Sequence, residues 1–92
     1  MKKWIQVETI GPNVLLVWTR RARLTFSYGT PVAAFVFETS DDNTLPEGFK
    51  TGKGYRTTER FSNTTARHIS KHCSHHEPVS PEQFAALLDE VA

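Results

Sequence analysis

The residues best suited to chemistry lie together in the segment TTARHISKHCSHH, which spans residues 64–76. This segment contains all four histidines of the chain, its single cysteine, Cys73, and two cations, Arg67 and Lys71. Imidazoles and thiolates bind zinc and act in catalysis, whereas cations bind phosphate groups. The segment could therefore hold a metal ion, contact a nucleic acid, or form the solvated side of a helix.

Helical spacing indicates which of these side chains face the core. We expect a helix from Asn63 to about His75, although threonine and serine are poor helix formers. At about 100° per residue, a narrow apolar stripe should face the core, formed by Ala66, Ile69 and Cys73. The polar residues of the other side should be exposed to solvent, namely Arg67, His68, Lys71, His72 and His75.

A zinc site is one hypothesis for the histidines. His68 and His72 have the i, i+4 spacing of a chelating pair, and His75 or His76 could add a third ligand. On a continuous helix Cys73 points away from this pair, and the sequence contains no CxxC motif. We therefore predict no metal and no other cofactor, and keep a zinc-stabilised domain as an alternative.

Nucleophilic catalysis is a second hypothesis for this segment. A catalytic cysteine needs a base within hydrogen-bond distance and a third group that orients the base. The histidines next to Cys73 in sequence point away from it on a helix, so we expect Cys73 to be a small core residue. The segment GKG at residues 52–54 is too short for a phosphate-binding loop. We predict that the protein is not an enzyme.

The composition indicates one folded domain, residues 1–92, with a single core. With one cysteine it can form no internal disulfide, and the MKKW start lacks the apolar stretch of a secretory signal. The longest apolar runs, VLLVW and VAAFVF, are far shorter than the roughly 20 residues of a transmembrane helix. We expect a soluble protein in the cytoplasm of a bacterial host, with no membrane partner.

Turn residues divide the first sixty residues into five candidate strands, WIQVETI, VLLVWT, RLTFSY, VAAFVFET and YRTTERF. In RLTFSY the apolar residues Leu24, Phe26 and Tyr28 alternate with polar ones. This alternation predicts one buried face and one face exposed to solvent, the latter carrying Arg23, Thr25 and Ser27. VAAFVFET has no polar alternation, which predicts a central strand covered on both faces.

The C-terminal third has a helical period. Ser80, Pro81 and Gln83 form the pattern of a capping box with proline at the first helical position. The apolar residues that follow make one stripe, Phe84, Leu87, Leu88 and Val91, which should pack on the sheet. We therefore predict an α+β fold with two layers, an antiparallel sheet of about five strands and two C-terminal helices.

Charged residues are sorted into blocks along the chain, although the formal net charge is only +1. Residues 1–37 contain five lysines or arginines and one glutamate, and residues 50–76 contain six and one. Residues 38–49 and 77–92 are acidic and contain no lysine or arginine. The basic blocks either form one positive face or are neutralised by the acidic blocks in the folded protein.

Cations of the basic blocks are the candidate binding residues. Arg56 and Arg60 alternate on one side of the last predicted strand, and Arg67 and Lys71 continue the row on the next helix. Arginine forks suit phosphate, and the many hydroxyl residues nearby could add donors. The candidates are Arg20, Arg21, Arg23, Arg56, Arg60, Arg67 and Lys71. Three aromatic residues could stack on unpaired bases or belong to the core, Trp4, Tyr28 and Tyr55.

The segments SYGTPVAAF and GYRTTERFSNTTARHISKH together resemble a group of small proteins of tailed phages and prophages. That group has a Ser-Tyr-x-Thr-x-Val-Ala strand, a Tyr-x-Thr strand and a Ser-x-Thr-Thr-x-(Arg/Lys)-His segment. The matching positions are Ser27, Tyr28, Thr30, Val32, Ala33, Tyr55, Thr57, Phe61, Ser62, Thr64, Thr65, Arg67 and His68. This chain departs from the pattern in its acidic loop 38–49 and in Phe61, where tyrosine is usual.

The resemblance implies a phage setting but no particular activity. Small phage proteins often act stoichiometrically, by binding nucleic acid or by blocking a host machine such as a CRISPR effector. A host ribonucleoprotein would offer RNA phosphate to the cations and basic protein grooves to Asp41, Asp42 and Glu47. We expect an inhibitor of a host nucleic-acid-handling or defence complex, with a stand-alone module binding DNA or RNA as the alternative.

Overall fold

The computed structural model describes residues 4–38, 44–59, 63–73 and 75–91. Its elements are β1 (Trp4–Gly11), β2 (Val14–Thr19), β3 (Ala22–Ser27), β4 (Thr30–Val36), β5 (Lys53–Thr57), α1 (Asn63–His72), β6 (Glu77–Val79) and α2 (Pro81–Val91). The strands form one sheet in the order of the chain, antiparallel except for β6, which runs parallel to β5. The predicted α+β class and both helices are confirmed, although α1 ends at His72 rather than near His75. The sheet has six strands where about five were predicted, and the sixth lies between the two helices.

The two helices lie on opposite faces of the sheet. Consecutive strand residues point to opposite faces, and Ala33 and Ala34 are consecutive residues of β4. Ala34 belongs to the core cluster that contains Phe84 and Leu87 of α2, whereas Ala33 belongs to the cluster that contains Ile69 of α1. The predicted two-layer arrangement is therefore wrong, and the fold has three layers with the sheet in the middle. The β5–α1–β6 connection places α1 on the face of the sheet opposite α2.

The larger core lies between the sheet and α2. Three residues of the stripe predicted for α2 are buried, with Phe84, Leu87 and Val91 at most 4% exposed, and the fourth, Leu88, is partly buried. The predicted capping box is confirmed, since Oγ of Ser80 accepts from the amide of Gln83 and Oε1 of Gln83 accepts from the amide of Ser80, each at 3.1 Å. These two bonds satisfy amide groups that the first turn of a helix leaves unpaired.

The smaller core lies between the sheet and α1 and contains Val32, Ala33, Ile69 and Cys73. Val32 is skipped in the pairing of β3 with β4, which places two consecutive residues, Val32 and Ala33, on the α1 side. Ile69 and Cys73 were predicted to face the core, and this is confirmed, whereas Ala66 is exposed. The central position predicted for VAAFVFET is confirmed, since β4 is buried on both faces.

The polar face predicted for β3 is not exposed to solvent. Thr25 and Ser27 are 5% and 1% exposed, because α1 covers the side of β3 to which they point. The strand ends at Ser27, and Tyr28 lies in the following turn with 54% of its surface exposed, so it does not share a buried face with Leu24. No helix in the described ranges is both long enough and apolar enough to cross a membrane.

Candidate binding face

The turn between β3 and β4 presents Tyr28 beside His68 of α1. Ser27 pairs with Thr30, so Tyr28 and Gly29 form a two-residue hairpin turn, and both have positive φ angles, 51° and 77°. Asparagine, aspartate and glycine are the usual residues in such a turn, because side chains with larger groups on Cβ are strained at positive φ. A tyrosine at this position is uncommon, and half of its surface is exposed.

Three polar side chains meet beneath this turn, and we name them the Ser27 cluster: Ser27, Thr65 and His68. Oγ of Ser27 lies 2.7 Å from Nδ1 of His68 and 3.1 Å from Oγ1 of Thr65. Ser27 and Thr65 are buried, and His68 is half-buried. His68 was predicted to be exposed on the outer side of α1, which is wrong, because its ring turns toward the end of β3.

The Ser27 cluster is suited to holding an imidazole in place. Ser27 has the hydroxyl–imidazole contact of a nucleophile and its base, but it is 1% exposed and its hydroxyl already contacts Thr65, so a substrate cannot reach it from solvent. With Nδ1 fixed by Ser27, the His68 ring stacks on Tyr28 at a centroid distance of 5.8 Å and an interplanar angle of 26°. The cluster therefore supports the exposed ring from below.

Four of the predicted cations lie on the α1 side of the sheet, and we name this set the basic face: Arg23, Arg56, Arg67 and Lys71. Arg67 and Lys71 are exposed on α1, as predicted, and line an open depression of about 610 Å³ together with Ala66 and Ser70. Arg23 and Arg56 are half-buried on the sheet, at the end of α1 where Cys73 lies. None of the four is paired with a carboxylate among the described residues.

The other three predicted cations lie elsewhere. The Arg21 guanidinium donates to the carbonyl oxygen of Glu90 at 3.0 Å and to its carboxylate at 2.6 Å, and it also contacts the Thr44 hydroxyl. Arg21 thereby caps the C-terminal end of α2, on the side opposite the basic face. Arg20 is exposed in the turn between β2 and β3, and Arg60 lies outside the described residues.

A cleft of about 420 Å³ opens at the C-terminal end of α1. It is lined by Arg23, Phe35, Gly52, Lys53, Gly54, Cys73, His75 and His76. Burial raises the pKa of the Cys73 thiol, against the smaller effects of a hydrogen bond from Thr25 and the charges of Arg23 and Arg56. Burial, assisted by the positive charges of the same two arginines and of His75, lowers the pKa of His76. The thiol and the His76 imidazole are therefore both favoured in their neutral forms.

Sequence reasoning did not find the contact between His76 and β5. A Cβ atom on Gly54 would lie 1.8 Å from Cδ2 of His76, so the imidazole occupies the place of a side chain on the strand. The Nδ1 atom of His76 is buried and has no hydrogen-bond partner among the described residues. A glycine in the middle of a strand is the signal that could have indicated this close approach.

The acidic residues of α2 lie on the opposite face of the molecule. Glu82 and Asp89 are exposed, and α2 has no basic residue in its last turn. The described part of α1, by contrast, contains Arg67 and Lys71 and no acidic residue. The two ion pairs among the described residues, Arg21–Glu90 and Lys53–Glu77, leave this separation of charge in place. Among the described residues the exposed charges of α1 are therefore positive and those of α2 negative, although Glu8, which lies on the Thr25 face of the sheet through Leu16, is an exposed carboxylate on the α1 side.

The remaining sequence predictions concern metals, aromatic residues and the acidic loop. Within the described ranges no three histidine, cysteine or acidic side chains are placed to bind a metal, and the His72 side chain is outside those ranges. Tyr55 is a core residue that packs edge-to-face on Phe49, and the Trp4 side chain is not described. Asp41 and Asp42 also lie outside the described residues, and Glu47 is exposed.

Comparison with known proteins gave one match. The family model described as Family of unknown function (DUF8033) matches residues 5–83. This range lacks only the first residue of β1 and includes the other five strands, the whole of α1 and the start of α2. No curated protein and no solved structure matched the chain.

Proposed function

The chain belongs to the Family of unknown function (DUF8033), and we propose that it is a non-enzymatic binding protein whose basic face docks on a nucleic-acid-handling complex of a bacterial host. In this proposal the protein is a phage-encoded inhibitor that occupies a surface of its target, and a CRISPR effector is a target of the right kind. The observation that carries the proposal is the opposite charge of the exposed residues of α1 and α2, which lie on opposite faces of the sheet.

The basic face is suited to phosphate. Arg67 and Lys71 lie one turn apart on the exposed side of α1, and no described carboxylate neutralises them. Arg23 and Arg56 extend the positive charge along the same face of the sheet toward the end of the helix. Unpaired cations spread over one face attract a polyanion and orient it before contact.

The acidic face favours a protein-containing complex over naked nucleic acid. Exposed carboxylates such as Glu82 and Asp89 repel phosphate, so the α2 side is less favourable for a nucleic acid than the α1 side. A ribonucleoprotein presents both phosphate and basic protein surfaces, and it could therefore bind both faces of this domain. Such docking needs complementary shape and charge and no chemical reaction. This agrees with a Ser27 cluster that holds the His68 and Tyr28 rings in place.

Affinity capture with charge-reversed variants tests this proposal. The tagged protein is incubated with lysate of the bacterial host, with and without nuclease, and the bound proteins and nucleic acids are identified. The variant Arg67→Glu/Lys71→Glu reverses two charges of the basic face, and Glu82→Lys/Asp89→Lys reverses two charges of α2 on the opposite face. Lys50→Glu, which reverses an exposed charge outside both helices, is the control. We expect a nuclease-resistant host complex to be lost in the first variant, weakened in the second and retained in the control.

Two results would contradict the proposal. If the α1 variant captures the same complex as the wild type, the basic face is not the docking surface. If only free nucleic acid is recovered and nuclease removes it, the protein is a stand-alone nucleic-acid-binding module. In that case the affinity for naked DNA or RNA should fall steeply as salt is raised, because phosphate contacts release counterions.

A further inference from the structure

We infer that the exposed ring of Tyr28 is a stacking site for an unpaired nucleobase, so that this end of the basic face contacts single-stranded nucleic acid. The inference rests on the proposed function and adds to it the residue that meets a base and the form of nucleic acid that is bound. Three features of the structure support it, which are the backbone of Tyr28, the support beneath its ring and the charge beside it.

The backbone at Tyr28 favours a different residue. A φ angle of 51° in a two-residue turn suits asparagine or glycine, and a tyrosine there is strained. The core does not explain the choice, since 54% of the Tyr28 surface remains exposed. Strained residues that persist are concentrated at sites of binding and catalysis. A large, exposed aromatic side chain in a strained turn is therefore evidence of contact with a ligand.

The ring is held ready for stacking. One of its faces lies on the His68 imidazole, and His68 is fixed by the buried Ser27 hydroxyl at 2.7 Å. Thr65 fixes that hydroxyl in turn from the first half of α1. A ring supported in this way loses little conformational entropy when a flat ligand settles on its exposed surface. Every nucleobase has such a flat face, so the site would accept bases without regard to sequence.

The cations on the helix that carries His68 support a ligand with phosphate groups. Arg67 is adjacent to His68 on α1 and is exposed, and Lys71 follows one turn later. Surfaces that bind single strands combine aromatic rings for the bases with cations for the backbone phosphates. Paired bases in a duplex do not expose their flat faces within a strand, so stacking on Tyr28 selects unpaired nucleotides.

The test uses the full chain and a fluorescein-labelled oligothymidine of about ten nucleotides, with binding measured by fluorescence anisotropy at low salt. The variant Tyr28→Gly removes the ring and suits the turn, so the fold should be retained, and a thermal melt checks this. The matched control is Val7→Ala on β1, because Val7 is 52% exposed and carries no aromatic ring. We expect Tyr28→Gly to weaken binding about tenfold, Tyr28→Phe to stay within about twofold of wild type, and Val7→Ala to have no effect.

An abasic oligonucleotide of the same length separates stacking from phosphate contacts. Wild type should bind it about tenfold more weakly than oligothymidine, and Tyr28→Gly should cause no further loss on it, because the base and the ring act as a pair. The inference is overturned if Tyr28→Gly binds oligothymidine as wild type does, or if no oligothymidine binding is detected.

These outcomes are distinct from failure of the proposed function. If Arg67→Glu/Lys71→Glu weakens binding or capture while Tyr28→Gly does not, the basic face remains the docking surface and only the stacking site is lost. If Tyr28→Gly reduces capture of a nuclease-treated host complex but leaves oligothymidine binding intact, the ring contacts protein, which also overturns the inference.

Discussion

Oγ of Ser27 lies 2.7 Å from Nδ1 of His68, although 41 residues separate the two in the chain. The contact joins the last residue of β3 to the middle of α1, and a second contact of the same hydroxyl, to Thr65, joins it to the first half of that helix. Because the three groups meet between α1 and the sheet, their hydrogen bonds compensate for the removal of polar atoms from water. The position of α1 on the sheet thus depends on polar as well as apolar contacts.

Replacing Ser27 with alanine should lower the free energy of unfolding by about 1–3 kcal/mol, because buried Thr65 and half-buried His68 each lose a hydrogen bond. Urea denaturation followed by circular dichroism measures this change. Ser70→Ala is the matched control, since Ser70 is exposed on the same helix and should change the stability little. Equal stabilities for Ser27→Ala and Ser70→Ala would show that the buried hydroxyl contributes nothing.

Replacing Gly54 with alanine should destabilise the domain by about 1–3 kcal/mol, because the added methyl group meets the His76 ring at 1.8 Å. The double variant Gly54→Ala/His76→Ala removes the clash. Urea denaturation of the wild type, the variants Gly54→Ala and His76→Ala and the double variant gives the coupling energy between the two positions. We expect Gly54→Ala to lower the free energy of unfolding much less when residue 76 is alanine. Additive effects of the two substitutions would mean that the imidazole does not lie on the strand.

Acid should destabilise the folded protein partly through His76. Burial and nearby positive charges lower the pKa of His76 in the folded state, so below about pH 6.5 the unfolded chain takes up a proton that the folded chain does not. The stabilisation is fully present above the unfolded pKa and is lost as the pH falls through the lower, folded pKa. We expect His76→Gln to reduce the loss of stability between pH 7 and 5, measured by urea denaturation. His75→Gln removes only the smallest contribution to that lowered pKa and should change the pH profile much less. An unchanged pH profile in His76→Gln would contradict the expectation.

Alkali should destabilise the folded protein through Cys73. Burial raises the pKa of this thiol in the folded state, so its contribution is fully present below the unfolded pKa, about 8.5, and is lost as the pH rises through the folded pKa. Cys73→Ala should flatten the decline of stability above about pH 8.5, although it lowers stability at neutral pH. The native thiol should also react slowly with a disulfide reagent until urea unfolds the chain. Rapid reaction without urea would show that Cys73 is accessible.

Local patterns were sufficient to predict α2 and the exposed cations of α1. Ser80 and Gln83 lie in one helical turn, so their reciprocal bonds depend only on residues close in sequence. The exposure of Arg67 and Lys71 follows from helix periodicity for the same reason. The three-residue strand β6 has no such pattern, since it exists through its pairing with β5.

Long-range contacts account for the predictions that were wrong. The alternation of β3 predicted a solvated face at Thr25 and Ser27, but short hydroxyl side chains can be buried where partners from α1 satisfy them. Arg21 was predicted to bind a partner together with Arg23, yet it precedes β3, and its contact with Glu90 places its guanidinium on the α2 side. The four residues of the basic face were all predicted as candidates from the sequence. Their common placement could not be predicted, because it depends on the β5–α1–β6 crossover, which brings α1 to the face of the sheet that carries Arg23 and Arg56.

The order of the strands has a consequence for how the domain forms. Each of the six strands pairs with the strand next to it in the chain, so most of the sheet can assemble by closing short loops, at little cost in chain entropy. Folds with such local pairing fold faster than those whose strands pair across the sequence. The sheet can therefore grow one strand at a time, from the first hairpin onward, in the order in which the ribosome delivers the strands.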